Sequence, residues 1–176
     1  MRIFTENDIK NMYTSRSINE SVRYFSNRYE STYSHFDIFL SHRFIDKDII
    51  NTLYNHLTSM GLRVYVDWIV DPNLDRSNVT RESAELIRNR MRNSSSLIYA
   101  ISANAEMSRW MPWELGYVDG HTQKCVIMPI AKYSFQDYTK MEYLKLYPYI
   151  EMNSQNEAIT VNDNNQYIDL KNWLRE

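Results

Sequence analysis

Short apolar runs alternate with helical periodicities along the middle of this chain. The first run, Phe36–Leu40, is nearly continuous and is typical of a buried strand. Apolar residues then recur with a 3.6-residue period, which predicts a helix capped by Asp46 and ended by Gly61. The apolar positions of this helix are Ile49, Ile50, Leu53, Leu57 and Met60.

Three more buried strands follow at intervals of about 30 residues, the length of a β-α-β unit. They span Leu62–Trp68, Leu97–Ile101 and Cys125–Ile130. A helix over about 80–92 precedes the second of these three strands, and a helix that contains Glu114 precedes the last. Because crossovers between parallel strands are right-handed, the pattern predicts a parallel sheet with helices on both faces.

The C-terminal part of the chain has a weaker pattern. Pro129 predicts a sheet edge or a strand terminus near the end of the fourth strand. Beyond it we expect a fifth strand over 147–152, a surface loop over about 153–166 and a closing helix over 167–174.

An amphipathic helix is predicted before the main domain. Ser17 and Glu20 have the spacing of a capping box. The apolar positions that follow with helical spacing are Ile18, Val22, Phe25 and Tyr29. Two roles stay open for this helix: docking on the domain itself, and binding a partner or a second copy of the chain. The expected organisation is an N-terminal helical extension, residues 1–34, and one α/β domain, residues 35–176, whose central parallel sheet has about five strands.

Composition excludes several classes of protein. A formal net charge of −2 gives no basic field for nucleic acid. No signal peptide and no apolar stretch of about 20 residues is present, so a cytoplasmic protein without membrane contact is expected. The single cysteine excludes an intrachain disulfide, and the four histidines lack the spacing of metal ligands, so no metal is expected.

Glycine-based nucleotide motifs are also absent. The chain has only three glycines, so neither a dinucleotide-binding fingerprint nor a P-loop can be written. No nucleophile elbow surrounds Ser41, which disfavours a serine hydrolase.

Candidate site residues gather where the predicted strands end. Ligands of open parallel sheets bind beyond the carboxyl ends of the strands. The residues there are Ser41, His42, Arg43, Phe44, Trp68, Trp110 and Glu114. They offer aromatic faces for a flat heterocycle, a guanidinium for phosphate and a carboxylate for sugar hydroxyls or a developing cation, which suits a nucleotide.

Three segments resemble those of TIR (Toll/interleukin-1 receptor) domains. Phe36–His42 is similar to the first box of the family, and Val64–Trp68 with the loop through Pro72 resembles its second strand and BB loop. Trp110–Glu114 resembles the W-x-x-x-E stretch of NAD-cleaving members. The chain is most similar in type to stand-alone bacterial TIR proteins of Thoeris anti-phage systems, which implies a flavodoxin-like fold.

The resemblance implies cleavage of NAD⁺ to nicotinamide and an ADP-ribose-derived signalling nucleotide, cyclic or conjugated. Glu114 takes the position of the catalytic glutamate, and the other site residues named above take substrate-binding positions, while Trp113 is expected in the core. NAD⁺ is then the substrate, and no cofactor is expected. TIR–TIR self-association and a diffusible product that reaches a downstream effector are also implied.

A carboxylate suits this reaction on physical grounds. Nicotinamide is already a cationic leaving group, so the barrier lies mainly in stabilising an oxocarbenium-like ribose, and no general acid is needed. Two alternatives stay open: a non-catalytic TIR scaffold, and an enzyme similar to nucleoside deoxyribosyltransferases, which also sets a carboxylate against an anomeric carbon.

Overall fold

The structure is a computed structural model that describes residues 2–14, 35–75, 80–102, 108–132, 141–152 and 159–176. Eight strands are described, and all of them belong to one sheet. They are β1 (Phe4–Thr5), β2 (Ile38–Ser41), β3 (Val64–Tyr65), β4 (Leu97–Ile101), β5 (Cys125–Ala131), β6 (Tyr149–Met152), β7 (Ile159–Asp163) and β8 (Gln166–Asp169). The described helices are α1 (Glu6–Thr14), α2 (Lys47–Ser59), α3 (Asp67–Val70), α4 (Arg81–Arg92), α5 (Trp110–Thr122) and α6 (Leu170–Trp173), with 3₁₀ turns at Phe44–Asp46 and Glu142–Leu146.

The strand order confirms the predicted fold class. Strands β3, β2, β4, β5 and β6 are neighbours in that order and run parallel. Counted from β2, this is the 2-1-3-4-5 order of flavodoxin-like sheets. The sheet has more strands than the five expected, because β1 pairs with β5 and an antiparallel β7–β8 hairpin extends the edge beyond β6.

Side chains that alternate along the strands form two separate cores. One face of the sheet packs against α1, α2 and α6, and the other packs against α4 and α5. In β2, Ile38 and Leu40 enter the first core, whereas Phe39 enters the second. By the same alternation Ser41 lies on the α5 face, and His42 lies on the α2 face.

The start of the chain belongs to the first core. Phe4 and Ile9 are fully buried there, and β1 pairs in parallel with the end of β5. The predicted helix through Ile18 and Tyr29 lies outside the described residues. The boundary between residues 34 and 35 stays a prediction.

The second predicted strand is too long. Only Val64 and Tyr65 pair with β2, and Asp67–Val70 forms the short helix α3. Since β3 is an edge strand with one neighbour, its pairing ends early and the chain turns away from the sheet. Trp68 therefore lies in a helix rather than at a strand end.

The expectation that Pro129 marks an edge or terminus is wrong, because β5 is central and continues to Ala131. The Ile127 N–H donates to the carbonyl of Pro148, on the side of β6. Backbone N–H groups alternate sides along a parallel strand, so the nitrogen of Pro129 faces the same side. Pairing there changes from β6, at Ile127, to β1, at Ile130, so a missing N–H is tolerated.

The C-terminal region is only partly as predicted. The fifth parallel strand is present as β6, but the expected loop over 153–166 contains β7, and the expected closing helix begins with β8. Asn164 and Asn165 have φ of 50° and 67° and form the tight turn between β7 and β8. Residues 153–158 lie outside the described part of the chain.

The other helix signals are present with one difference. Gly61 has φ +86° just past α2, as expected for a helix end. Asp46 stands at the start of α2, but its carboxylate makes no capping hydrogen bond and instead accepts one from Ser102 at 2.5 Å. Within the described residues, no helix has the length and apolar content needed to cross a membrane.

Candidate functional site

A buried hydrogen bond joins the ends of two elements at the carboxyl edge of the sheet. The Ser41 hydroxyl donates to Glu114 Oε2 at 2.6 Å, although the two residues are 73 positions apart. Glu114 is 0% exposed and Ser41 is 1% exposed. Ser41 lies at the end of β2 and faces α5, so the fold brings the two predicted site residues into direct contact and orients the carboxylate.

Helix α5 carries Glu114 one turn after its start. The helix begins at Trp110, and the Ser108 hydroxyl accepts a hydrogen bond from the Met111 N–H at 3.2 Å. Pro112 lies in the first turn, where a missing N–H costs little. Trp110 and Glu114 are four residues apart, and this spacing places them on one side of the helix.

A tyrosine that the sequence did not single out lies beside this pair. Tyr99 of β4 is the register partner of Ser41, and its side chain enters the core on the α5 face. Burial raises the pKa of the Tyr99 hydroxyl, and the neighbouring Tyr143 and Glu114 raise it further. Strand alternation alone could have suggested it, since adjacent parallel strands share faces.

His42 and Trp68 contact each other on the opposite face of the sheet. The His42 Nδ1–H donates to the carbonyl of Leu40 at 2.8 Å, and Nε2 accepts from the Trp68 indole N–H at 3.0 Å. Asp67 Oδ1 lies 3.4 Å from the same Nε2. Both polar side chains are buried, with His42 4% and Asp67 6% exposed. His42 is adjacent to Ser41 in sequence, but strand alternation separates its side chain from Glu114.

The remaining predicted residues of the first loop are more accessible. Arg43 is half-buried, and its carbonyl accepts the Asp46 N–H at 3.0 Å. Phe44 is 62% exposed, with the Lys47 ammonium 5.8 Å from its ring centroid. The Asp46–Ser102 hydrogen bond ties this turn to the end of β4.

The loop after α3 is anchored by one carboxylate. Asp71 accepts two hydrogen bonds from Arg90 of α4, at 2.9 and 2.7 Å, and one from the Tyr65 hydroxyl at 2.9 Å. A cavity of about 500 Å³ lies between this loop and the start of α4. Its lining contains none of the predicted site residues, so it is separate from the Ser41–Glu114 pair.

Among the described residues, no group of three His, Cys, Asp or Glu side chains is arranged to hold a metal ion. The Ser41–Glu114 pair presents an oriented carboxylate that is shielded from water. In a low-dielectric site such a group interacts with a positive charge far more strongly than it does in water.

Known proteins are similar to this chain in sequence. The TIR domain model matches residues 38–163. A probable 3′ cyclic ADP-D-ribose synthase of Bacillus cereus (strain MSX-D12), ThsB′, is 43% identical over 193 aligned positions that cover 100% of both chains. A putative cyclic ADP-D-ribose synthase of Cytobacillus dafuensis, TIR2, is 25% identical over 83 positions, or 47% of this chain and 22% of that protein.

Among solved structures, the TIR domain of the Toll-related receptor TRR-2 from Hydra magnipapillata matches 62% of this chain and 80% of its own, with a TM-score of 0.45 and 21% identity. The family model covers the chain from the start of β2 to the end of β7, and the Bacillus cereus relative matches from end to end. This chain therefore belongs to the TIR domain family.

Proposed function

We propose that this protein cleaves NAD⁺ to nicotinamide and a cyclic ADP-ribose, and that the product is a signal in anti-phage defence. The observation that carries the proposal is the buried Glu114 carboxylate, oriented by Ser41 at the ligand-binding edge of the sheet. The Bacillus cereus relative is named as a probable 3′ cyclic ADP-D-ribose synthase, which supports a cyclic product. The resemblance to Thoeris TIR proteins supports the defence role and a downstream effector that binds the product.

The chemistry requires little from the protein besides electrostatics and position. The bond between the ribose C1 and the nicotinamide nitrogen breaks, and its electron pair neutralises the pyridinium ring. The positive charge that develops on the ribose is stabilised by Glu114. A hydroxyl of the same molecule then attacks C1 and loses its proton, which closes the ring, whereas attack by water gives linear ADP-ribose.

NAD⁺ binding requires movement at the sheet edge, because Glu114 has no exposed surface. TIR–TIR self-association, which the family resemblance implies, is the event that we propose opens or completes the site. Arg43, Phe44, Trp68 and Trp110 are the predicted substrate-binding residues that keep exposed surface on the described structure.

The test is nicotinamide release from NAD⁺ by purified protein over a range of protein concentrations, with product masses recorded. We expect wild type to release nicotinamide with a rate per protein that rises on self-association, and Glu114→Gln to release none above background. Glu82→Gln, which removes an exposed carboxylate on α4, is the matched control and keeps wild-type activity. Equal rates for wild type and Glu114→Gln in the assembled state would refute the enzyme and favour a TIR scaffold.

A further inference from the structure

Two arginines of α4 lie over two aromatic rings of α5. The Arg88 guanidinium carbon is 5.6 Å from the ring centroid of Trp113, and that of Arg92 is 6.0 Å from the ring centroid of Tyr117. Both pairs are within the range of cation–π contacts. Trp113, which was expected in the core, is only partly buried and packs against the second core.

Glu85 orients both arginines. Its carboxylate accepts a hydrogen bond from Arg88 at 3.1 Å and one from Arg92 at 3.2 Å. The hydrogen bond from Arg88 holds the pKa of Glu85 below its usual value, and Arg92 lowers it further. Ion pairs on an exposed helix surface contribute little stability, so their effect here is on the direction of the guanidinium groups.

The stack reaches the candidate site through one further ring. Trp113 contacts Trp110 edge to face, with ring centroids 5.4 Å apart. Trp110 is partly exposed and lies one turn before Glu114. Tyr117 lies 6.1 Å from Trp113 on the other side, so Arg92 is two rings from Trp110 whereas Arg88 is one.

We propose that Arg88 and Trp113 are positioning residues that hold the Trp110 ring beside Glu114, where it meets the nicotinamide end of NAD⁺. This inference rests on the proposed function. A partly exposed tryptophan has several accessible rotamers, and an edge-to-face neighbour of fixed orientation selects among them. Arg88 contacts the Trp113 ring, which contacts the Trp110 ring, and so it acts on the substrate only through the two rings.

The first test compares Arg88→Met with Arg92→Met. Each change keeps an unbranched stem and removes a guanidinium that bonds Glu85 and covers an aromatic ring, so Arg92→Met is a matched control. We expect Arg88→Met to raise KM for NAD⁺ by about threefold with kcat nearly unchanged, the size of one exposed cation–π contact. Arg92→Met leaves KM at the wild-type value, and Arg88→Lys partly restores it. Equal KM values for Arg88→Met and Arg92→Met would overturn the proposal.

The second test does not depend on activity. The four tryptophans, labelled with 5-fluorotryptophan, give four ¹⁹F NMR signals that single Trp→Phe variants assign. Arg88→Met moves the signals of Trp110 and Trp113 and leaves those of Trp68 and Trp173. An unmoved Trp110 signal refutes the positioning role even if NAD⁺ is cleaved. If wild type does not cleave NAD⁺ and Arg88→Met still moves the Trp110 signal, the proposed enzymatic activity is refuted and the contact between the rings is not.

Discussion

Ser41 and His42 are adjacent in sequence and serve different sides of the sheet. Ser41 bonds Glu114 on the α5 face, and His42 accepts the Trp68 N–H on the α2 face. Ser41 and His42, both assigned to substrate binding by the family resemblance, therefore belong to two different clusters at one sheet edge. Their roles toward NAD⁺ stay predictions, and single substitutions separate them.

Ser41→Ala removes the donor that orients Glu114. We expect kcat for NAD⁺ cleavage to fall by about 10- to 100-fold, since losing one partner of a buried charged hydrogen bond costs about 1.5–3 kcal/mol. Ser102→Ala is the matched control. Ser102 follows β4, the strand beside β2, and its buried hydroxyl donates to Asp46. This variant lowers the unfolding temperature similarly but spares kcat. Steady-state kinetics and thermal unfolding measure both, and an equal loss of kcat in the two variants would contradict a specific role of Ser41.

Trp68→Phe removes the indole N–H that His42 accepts. We expect a loss of about 1 kcal/mol in the free energy of unfolding, from urea titration, and little change in KM for NAD⁺. Trp110→Phe has the opposite profile, with a raised KM and a smaller stability loss, because Trp110 lies on the Glu114 side. If Trp68→Phe raises KM as much as Trp110→Phe does, the His42–Trp68 cluster contacts substrate.

At the scale of single elements, α1 is held by a reciprocal cap. The Thr5 N–H donates to Asp8 Oδ2 at 2.7 Å, and the Asp8 N–H donates to Thr5 Oγ1 at 3.2 Å. Arg2 forms a two-bond ion pair with the same carboxylate. The hydrogen bond from Arg2, followed by those from Thr5, holds the pKa of Asp8 well below its usual value of 3.8. This cap joins α1 to β1, which is itself paired with β5 in the sheet.

Asp8→Asn tests that cap through pH. A carboxyl whose pKa is lowered by folding stabilises the fold fully above its unfolded pKa, and this stability is lost as pH falls. We expect Asp8→Asn to reduce the free energy of unfolding by about 1–2 kcal/mol at pH 7. The difference from wild type shrinks as the pH falls below 3.8. Urea titrations at several pH values measure it, with the exposed Asp48→Asn as control; a difference that does not change with pH would exclude the ion pair as its source.

Asn165 is the left-handed position that the β7–β8 turn requires. Its φ of 67° strains a β-branched residue, so Asn165→Val is expected to lower the unfolding free energy by about 1–3 kcal/mol, whereas Asn165→Gly is neutral or stabilising. Gln166→Val, at the exposed first position of β8, is the control and costs much less. Chemical denaturation measures these unfolding free energies. Equal losses of stability in the two valine variants would show that the turn conformation is not the cause of the destabilisation.

At the scale of the whole molecule, one sheet carries both cores, and Cys125 lies inside it. Cys125 begins the central strand β5 and is 2% exposed. Burial raises the pKa of its thiol to about 12, with a further contribution from Asp119. A thiol of this kind reacts only when the strand is exposed.

We therefore expect no reaction of Cys125 with a maleimide in native buffer at neutral pH. Labelling should appear with the same urea midpoint as the loss of far-UV circular dichroism, because exposure of β5 requires disruption of both cores. Cys125→Ser gives the unlabelled background. Labelling in native buffer, or well before the loss of secondary structure, would show that β5 opens independently of the rest of the fold.

The elements that the sequence predicted well are those with strong local signals. Strands β2, β4 and β5 and helices α2 and α4 follow from apolar runs, helical periodicity and caps within each segment. Of the elements that were missed, β1, α3, β7 and β8 were missed for reasons outside their own residues. The two-residue β1 exists only because it pairs with β5, α3 forms because an edge strand ends, and the Asn-rich β7–β8 hairpin depends on pairing with β6.

By itself the sequence determined the α/β class, the parallel direction of the central strands and the candidate carboxylate Glu114, because apolar periodicity and motif spacing are properties of the chain. Only the tertiary structure decided which side chains meet. Packing of α5 on the sheet places Ser41 against Glu114 across 73 positions, and strand alternation sends His42 to the other face. Packing between α4 and α5 sets Arg88 over Trp113. Contacts at such separations depend on how elements pack, and packing is not encoded in any one segment.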